Sequence, residues 1–183
     1  KQALVQNLKQ LLKKIKLNLK CKSSKNRSKK LNSMDIEKCK ADIKRHEGEV
    51  LELYEDSLGY KTLGVGHLCQ PGDPEYNDPI GTKVSQEVVD MYYEDDFKKH
   101  LAEAIHVFGT DEGFYNLPED IQHVLVNMCF NLGGTRLSNF KNMMKACREH
   151  DWEKMAAEME DSRWFKQVGR RSLELQAVVR NTV

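Results

Sequence analysis

From residue 33 onward, apolar positions recur at helical spacing in some stretches and alternate in others, and the changes of period mark the elements. Ile36, Cys39, Ile43 and His46 share one helical face, with Ser33 as the expected N-cap, Asp35 and Glu37 in the first turn, and Gly48 as the residue that stops the helix. Leu51 and Leu53 then alternate with Glu52, and Ser57-Leu58-Gly59 turns the chain. Beyond the turn Leu63 and Val65 oppose Thr62, Gly64 and Gly66, so a short glycine-studded hairpin is predicted. Residues 70–81 hold Pro71, Gly72, Pro74 and Pro79 and predict loop. Ser85 can cap a long helix to about Phe108, with Val88, Val89, Tyr92, Leu101, Ile105 and Phe108 apolar. Pro118, Glu119 and Asp120 open another helix that Gly133 ends. Its run 124–130 is apolar almost all round, the mark of a central helix. Shorter helices are predicted over about 137–149, 151–161 and 173–180, and Trp152 and Trp164 read as packing residues.

The first twenty residues obey a different rule. Leu4, Leu8, Leu11, Leu12, Ile15 and Leu19 form a stripe with lysines around the rest, as in a cationic amphipathic helix, and residues 21–30 are a polar, basic link. Residues 1–30 carry 11 of the 29 Lys+Arg and none of the 28 Asp+Glu, so the net charge of +1 hides a basic arm and an acidic remainder. Two regions are therefore expected: residues 1–33 as a basic N-terminal extension and linker, and residues 34–183 as one domain. The arm reads either as a solvated extension or, through residues 1–20, as an attachment to anionic bacterial surfaces. No aromatic residues interleave its lysines, which argues against nucleic acid. Asn26-Arg27-Ser28 is a glycosylation sequon, meaningful only in a secreted chain. No apolar run reaches membrane-spanning length. The five cysteines are too scattered for a disulfide framework and match no zinc spacing. Buried free thiols are the default for Cys129 and Cys147, with a bridge between them also compatible with the sequence.

Chemistry gathers around Glu47. In the last turn of its helix it meets the partial negative charge of the helix end, which disfavours the carboxylate and favours the protonated form that a general acid needs. Asp56 and Thr62 flank the hairpin and can hold a water opposite Glu47, while the two glycines on one face leave room for a bulky ligand near the backbone. One acid to protonate a leaving oxygen and one base to activate water is the layout of a glycosidase. Spacing alone does not exclude the plainer reading, since in a chain with 28 acidic residues most such pairs are solvated surface.

Glu47, an eight-residue gap, Asp56, a five-residue gap, Thr62 and then Gly64-Val65-Gly66-His67-Leu68 resemble the catalytic segment of the phage T4-type lysozymes (endolysins, muramidases). Asn127-Met128-Cys129-Phe130-Asn131-Leu132-Gly133 and Ser162-Arg163-Trp164-Phe165 resemble the same family in the expected order, so the resemblance covers roughly residues 35–183. It implies a mainly helical α+β lysozyme fold, with a small antiparallel β-sheet lobe against a larger helical lobe and a cleft between them. The implied activity is hydrolysis of the β-1,4 bond between N-acetylmuramic acid and N-acetylglucosamine in bacterial peptidoglycan. Glu47 would be the acid, and Asp56 and Thr62 would activate water with inversion, which requires carboxyl groups roughly 6.5–9.5 Å apart. Leu68, Phe130 and Asn131 match positions facing the sugar, although Phe130 reads equally well as core; two further sugar-contact positions are substituted, falling on Met143 and Glu158. Arg171 matches an arginine that bridges to the catalytic glutamate, and His67 pairs with Asp96, more readily as a buried ion pair than as a catalytic histidine. No metal or organic cofactor is implied, and a monomer acting outside the bacterial cytoplasm is expected, secreted rather than held in a host cell before phage lysis. Two rivals accompany this reading: a cell-wall binding module without catalysis, and a membrane-active protein working through residues 1–20.

Overall fold

The computed structural model of the chain describes residues 34–183. The basic arm expected over 1–33, its possible attachment role, the expected cap Ser33 and Cys21 lie outside the described residues. Helix α1 (Ile36–Glu47) starts instead at Asp35, whose carboxylate accepts the Lys38 N–H at 3.0 Å. Asp35 serves as the cap because it stands where a side-chain oxygen reaches an orphan donor of the first turn. Cys39 and Ile43 are buried as the helical spacing predicts, and Gly48, at φ 78°, returns its N–H to the Lys44 carbonyl and ends the helix.

Strands β1 (Val50–Glu55), β2 (Lys61–Gly64) and β3 (His67–Leu68) form an antiparallel sheet in the order β1-β2-β3. Tyr54 faces Thr62 and Glu55 faces Lys61 across β1 and β2, while Thr62 faces Leu68 across β2 and β3. Two details depart from the simple alternation expected of the hairpin. The pairing is irregular between Val50 and Tyr54, so Leu53 is fully buried while Leu51, two residues earlier, is 42% exposed. In the middle strand and just after it, Thr62, Leu63, Gly64 and Val65 are all buried, because both faces are covered. Beyond the expected loop, which contains one 3-10 turn (Pro74–Asn77), the chain runs back along β1: Leu53 donates to the Thr82 carbonyl at 2.9 Å and Val84 to the Leu51 carbonyl at 3.1 Å.

Helix α2 (Gln86–Phe108) is capped by Ser85 and ends at Phe108, as the sequence predicts, with Gly109 as its C-cap. It joins the two parts of the molecule. Near its start Val89 and Tyr92 pack on the sheet; near its end Phe108 meets Phe114 edge-on. Then come α3 (Asp111–Tyr115), α4 (Glu119–Leu132), α5 (Gly134–Leu137), α6 (Lys141–Arg148), α7 (Trp152–Glu160), α8 (Arg163–Val168) and α9 (Arg170–Asn181). Helix α4 is the axis of this part: every residue from Ile121 to Cys129 is buried, and α1, α2 and α9 all pack on it. Helices α3 and α8 are too short for periodicity to reveal, and α9 begins at Arg170, three residues before the predicted start at 173, which puts Arg171 in its first turn. The fold is thus α+β and mainly helical, with a small antiparallel sheet beside a larger helical part.

Cys39, Cys69, Cys129 and Cys147 are all free and buried, so no bridge joins Cys129 to Cys147. Burial pushes the thiols of Cys39, Cys129 and Cys147 up to about 12, which keeps them unreactive at ordinary pH. Trp164 is buried edge-on to Phe140 and Trp152 is half-buried against the core, so both serve packing. Among the described residues, no helix is long and apolar enough to cross a membrane.

Candidate active site

Glu47 is the last residue of α1, and the turn at Gly48 carries the chain from it directly into β1. Its side chain is only 20% exposed, and Oε1 accepts a hydrogen bond from Arg171 Nη1 at 2.5 Å. Arg171 is itself buried. Its Nε donates to Asn127 Oδ1 at 2.8 Å and its Nη2 to the Asn127 carbonyl at 2.9 Å, so the guanidinium is spread over α4 before it reaches Glu47. The other carboxyl oxygen, Oε2, has no hydrogen-bond partner among the described residues and faces Gly66, where an added Cβ would stand 4.0 Å from it.

The hairpin supplies the other two candidates. Asp56 comes directly after β1, and its Oδ1 accepts the backbone N–H groups of Leu58 and Tyr60, each at 2.8 Å. That Asx-type turn leaves Oδ2 uncommitted. Thr62 is buried in β2, and its hydroxyl donates to the Tyr60 carbonyl at 3.0 Å, so Oγ1 has lone pairs but no proton to offer a ligand. Both carboxylates act on Tyr54, the residue opposite Thr62: burial first, then the charges of Glu47 and Asp56, raise its phenol above the usual range. Glu47 and Asp56 thus both lie near enough to Tyr54 for their charges to act on it, and Tyr54 stands opposite Thr62.

The two glycines do different work. A Cβ at Gly64 would lie 2.9 Å from Val89 Cγ1, so the space beside it belongs to α2 and not to a ligand, contrary to the expectation for that face. At Gly66, which is exposed, an added Cβ would make only an ordinary contact with Glu47, 4.0 Å from Oε2. His67 also resolves. Its Nδ1 bonds Asp96 Oδ2 at 2.8 Å, its Nε2 reaches Asp73 Oδ2 at 3.2 Å, and the ring stacks on Tyr92 with centroids 4.0 Å apart. Burial works against the charged imidazole, but the two aspartates outweigh it and raise the pKa above its ordinary value. With both ring nitrogens occupied, His67 is a tie between the β3 segment, the loop and α2.

Leu68 is exposed on β3, and Asn131 is exposed at the end of α4, its Oδ1 accepting the Trp164 indole N–H at 2.9 Å. Phe130 is partly buried, edge-on to Tyr93 and tilted against His100, so it belongs to the packing of α4 on α2 as much as to any surface. A groove of about 1080 Å³ runs from Leu58 of the hairpin turn past Leu132, Phe140, Met143 and Glu158 to Arg163 and Trp164. Met143 and Glu158 thus line the same groove as the turn beside Asp56. Three contributors escaped the sequence: Asn127 as the anchor of Arg171, Tyr54 as the phenol on which both carboxylates act, and Leu58 as a wall of the groove. Only Asn127 carries a signal in retrospect, being a polar residue inside an otherwise apolar helical run.

One group could in principle hold a metal: among the described residues, ligand atoms of His100, Glu103 and Cys129 lie within 4.8 Å of one another. Glu103 Oε2 is already engaged there, bonding His100 Nδ1 at 3.0 Å and accepting the Gly134 N–H at 3.0 Å. The trio is accounted for as the tie that fixes the start of α5 to α2.

An acid held at a helix end by a buried arginine, beside a three-stranded hairpin sheet and a helical lobe, defines the class as lysozyme-like. The phage lysozyme family matches residues 44–181, and the chain belongs to that family. It is 29% identical to a probable T4-type lysozyme 2 of Dictyostelium discoideum over 146 residues, covering 71% of this chain and 86% of that relative. A probable T4-type lysozyme 1 of the same organism is 28% identical, covering 75% of this chain and 90% of its own length. A peptidoglycan hydrolase, gp36 of Pseudomonas phage phiKMV, is 27% identical over 116 residues, which are 63% of this chain and 12% of that larger protein.

Proposed function

We propose that this protein is a peptidoglycan hydrolase that cuts the β-1,4 bond between N-acetylmuramic acid and N-acetylglucosamine by acid–base catalysis with inversion. The observation that carries the reading is Glu47, held through one oxygen by a buried arginine with the other oxygen left open beside a glycine. In this reading the open Oε2 carries the proton that goes to the leaving glycosidic oxygen, and the Arg171 guanidinium fixes the rotamer and then stabilises the carboxylate that remains. A water donates its two hydrogens to Asp56 Oδ2 and Thr62 Oγ1, both free to accept, and presents its lone pair to the anomeric carbon from the opposite face. As the C–O bond breaks, Asp56 takes the water proton, and the product has inverted configuration. No step calls for a metal or a cofactor. The groove from Leu58 to Trp164 and the exposed Leu68 and Asn131 are the proposed contacts for the glycan. Since peptidoglycan lies outside the bacterial cytoplasm, the site of action is proposed to be extracellular.

The test is release of new reducing ends from purified peptidoglycan by the parent protein and by Glu47→Gln, which keeps the shape and removes the acid proton. Turnover in the parent with a loss of about a thousandfold or more in the variant is the expected result. Equal turnover in both removes Glu47 from the mechanism. Binding to the wall without turnover in either makes the protein a wall-binding module.

A further inference from the structure

The hydrogen bonds behind Glu47 continue past Arg171, and elementary donor–acceptor logic fixes every group along them. Arg171 has only donors, so the atom of Asn127 that faces its Nε at 2.8 Å must be the side-chain oxygen. The Asn127 amide nitrogen then points the other way, to His46 Nδ1 at 3.2 Å, and since that nitrogen is a donor, His46 Nδ1 must be an unprotonated acceptor. The His46 proton therefore sits on Nε2, which donates to Glu174 Oε2 at 3.0 Å. Glu174 is anchored in turn by Arg45 Nη1 at 2.8 Å and by Arg170 Nε at 2.7 Å. The hydrogen bonds from His46, Arg45 and Arg170 hold its carboxyl down at about 2. The chain Glu174–His46–Asn127–Arg171–Glu47 thus runs from α9, through α1 and α4, to the carboxylate of Glu47, whose Oε2 is left open. His46 is nearly buried, its side chain 7% exposed, and it immediately precedes Glu47 in α1.

We propose that His46 is a positioning residue for the reaction: as a neutral imidazole protonated on Nε2, it locks the Asn127 amide, which aims Arg171 at Glu47. The inference rests on Glu47 being the acid. An imidazolium at His46 would set an Nδ1–H against the Asn127 NH₂ and break the line at its middle. Two substitutions divide the ring's roles. His46→Asn keeps an acceptor near the Nδ1 position and gives up the bond to Glu174, whereas His46→Gln keeps a donor near the Nε2 position and gives up the acceptor that faces Asn127.

The experiment measures kcat and KM on soluble peptidoglycan fragments for the parent, Glu47→Gln, His46→Asn and His46→Gln, with thermal unfolding of each. Imidazole nitrogen NMR of the parent is added, with the His46 signals assigned by their loss in the variants. The expected result is a fall in kcat of roughly tenfold or more in His46→Gln with KM little changed, and a loss of no more than about threefold in His46→Asn. The parent spectrum should show His46 protonated on Nε2 alone. Parent-like kcat in His46→Gln while Glu47→Gln is inactive overturns the inference and leaves the acid assignment standing; so do equal losses in the two His46 variants. A His46 signal protonated on Nδ1 overturns it even where a variant does not fold. Full activity in Glu47→Gln overturns the acid assignment itself, and the inference with it.

Discussion

Arg171 shows how much one side chain can be asked to hold. It makes hydrogen bonds to Glu47, to the Asn127 side chain and to the Asn127 backbone from a buried position, with each nitrogen of a rigid fork spoken for. Lysine has the charge but not the fork, so Arg171→Lys should lower unfolding free energy by about 2 kcal/mol or more in denaturant titration, with a larger fractional loss in kcat than in KM. A variant as stable and as active as the parent would mean that the fork geometry is incidental. Thr62 offers a second residue-level test. Because its proton is committed to the Tyr60 carbonyl, only its lone pairs are available to a water. Thr62→Val, nearly the same shape, should reduce kcat by roughly tenfold or more, while Thr62→Ser keeps most of it. Equal rates in the two would remove the hydroxyl from the mechanism.

Among the elements, the contact of α2 with β2 is the least forgiving. Gly64 combines a φ of 61° with Val89 pressed against the place a side chain would take. Gly64→Ala should therefore destabilise the protein by about 1–3 kcal/mol, from backbone conformation and crowding together. Adding Val89→Ala should recover only the crowding part, and full recovery would show that the backbone there carries no strain. The start of α1 is a milder case. Removing the carboxylate that accepts the Lys38 N–H, by Asp35→Ala, should cost about 1 kcal/mol of stability without touching the rate.

At the scale of the molecule, His67 sits where the β3 segment, the loop and α2 meet, bonded to Asp96 and Asp73 and stacked on Tyr92. Its folded-state pKa is raised above the ordinary value of about 6.5, so the stability it contributes is fully present below that pH and is lost as pH rises through the folded value. His123 carries the opposite sign. Burial lowers its pKa, so its contribution is present above about 6.5 and is lost as pH falls through the lowered value. The two are separated by comparing the melting temperature of the parent and of Asp96→Asn across pH: the difference between them should be largest in mild acid and shrink towards alkaline pH. A difference that grows with pH would reverse the assignment. The basic arm is tested separately, by deleting residues 1–33. Hydrolysis of purified peptidoglycan should stay within about twofold, and binding to anionic vesicles at low salt should fall. Loss of hydrolysis would make the arm part of the enzyme.

Much of this was readable in the order of residues because the deciding forces are local. Ser85 starts α2, Gly48 ends α1 at Glu47, and the apolar run of residues 124–130 marks α4 as the central helix, each through caps, turn conformations or burial that a few neighbouring residues decide. Glu47, Asp56 and Thr62 stand close along the chain for a related reason, since helix end, strand and hairpin turn succeed one another within a single short segment, but it was the resemblance to the phage T4-type lysozymes rather than their spacing that singled them out. What the tertiary structure decided depends on partners far apart in the chain. Val89 closes the space beside Gly64, the course of the chain after residue 81 covers β1, and Asn127 and His46 together orient Arg171. Those contacts join helices separated by dozens of residues, and only when α1, α4 and α9 pack side by side does the chemistry of the donor and acceptor atoms leave one arrangement.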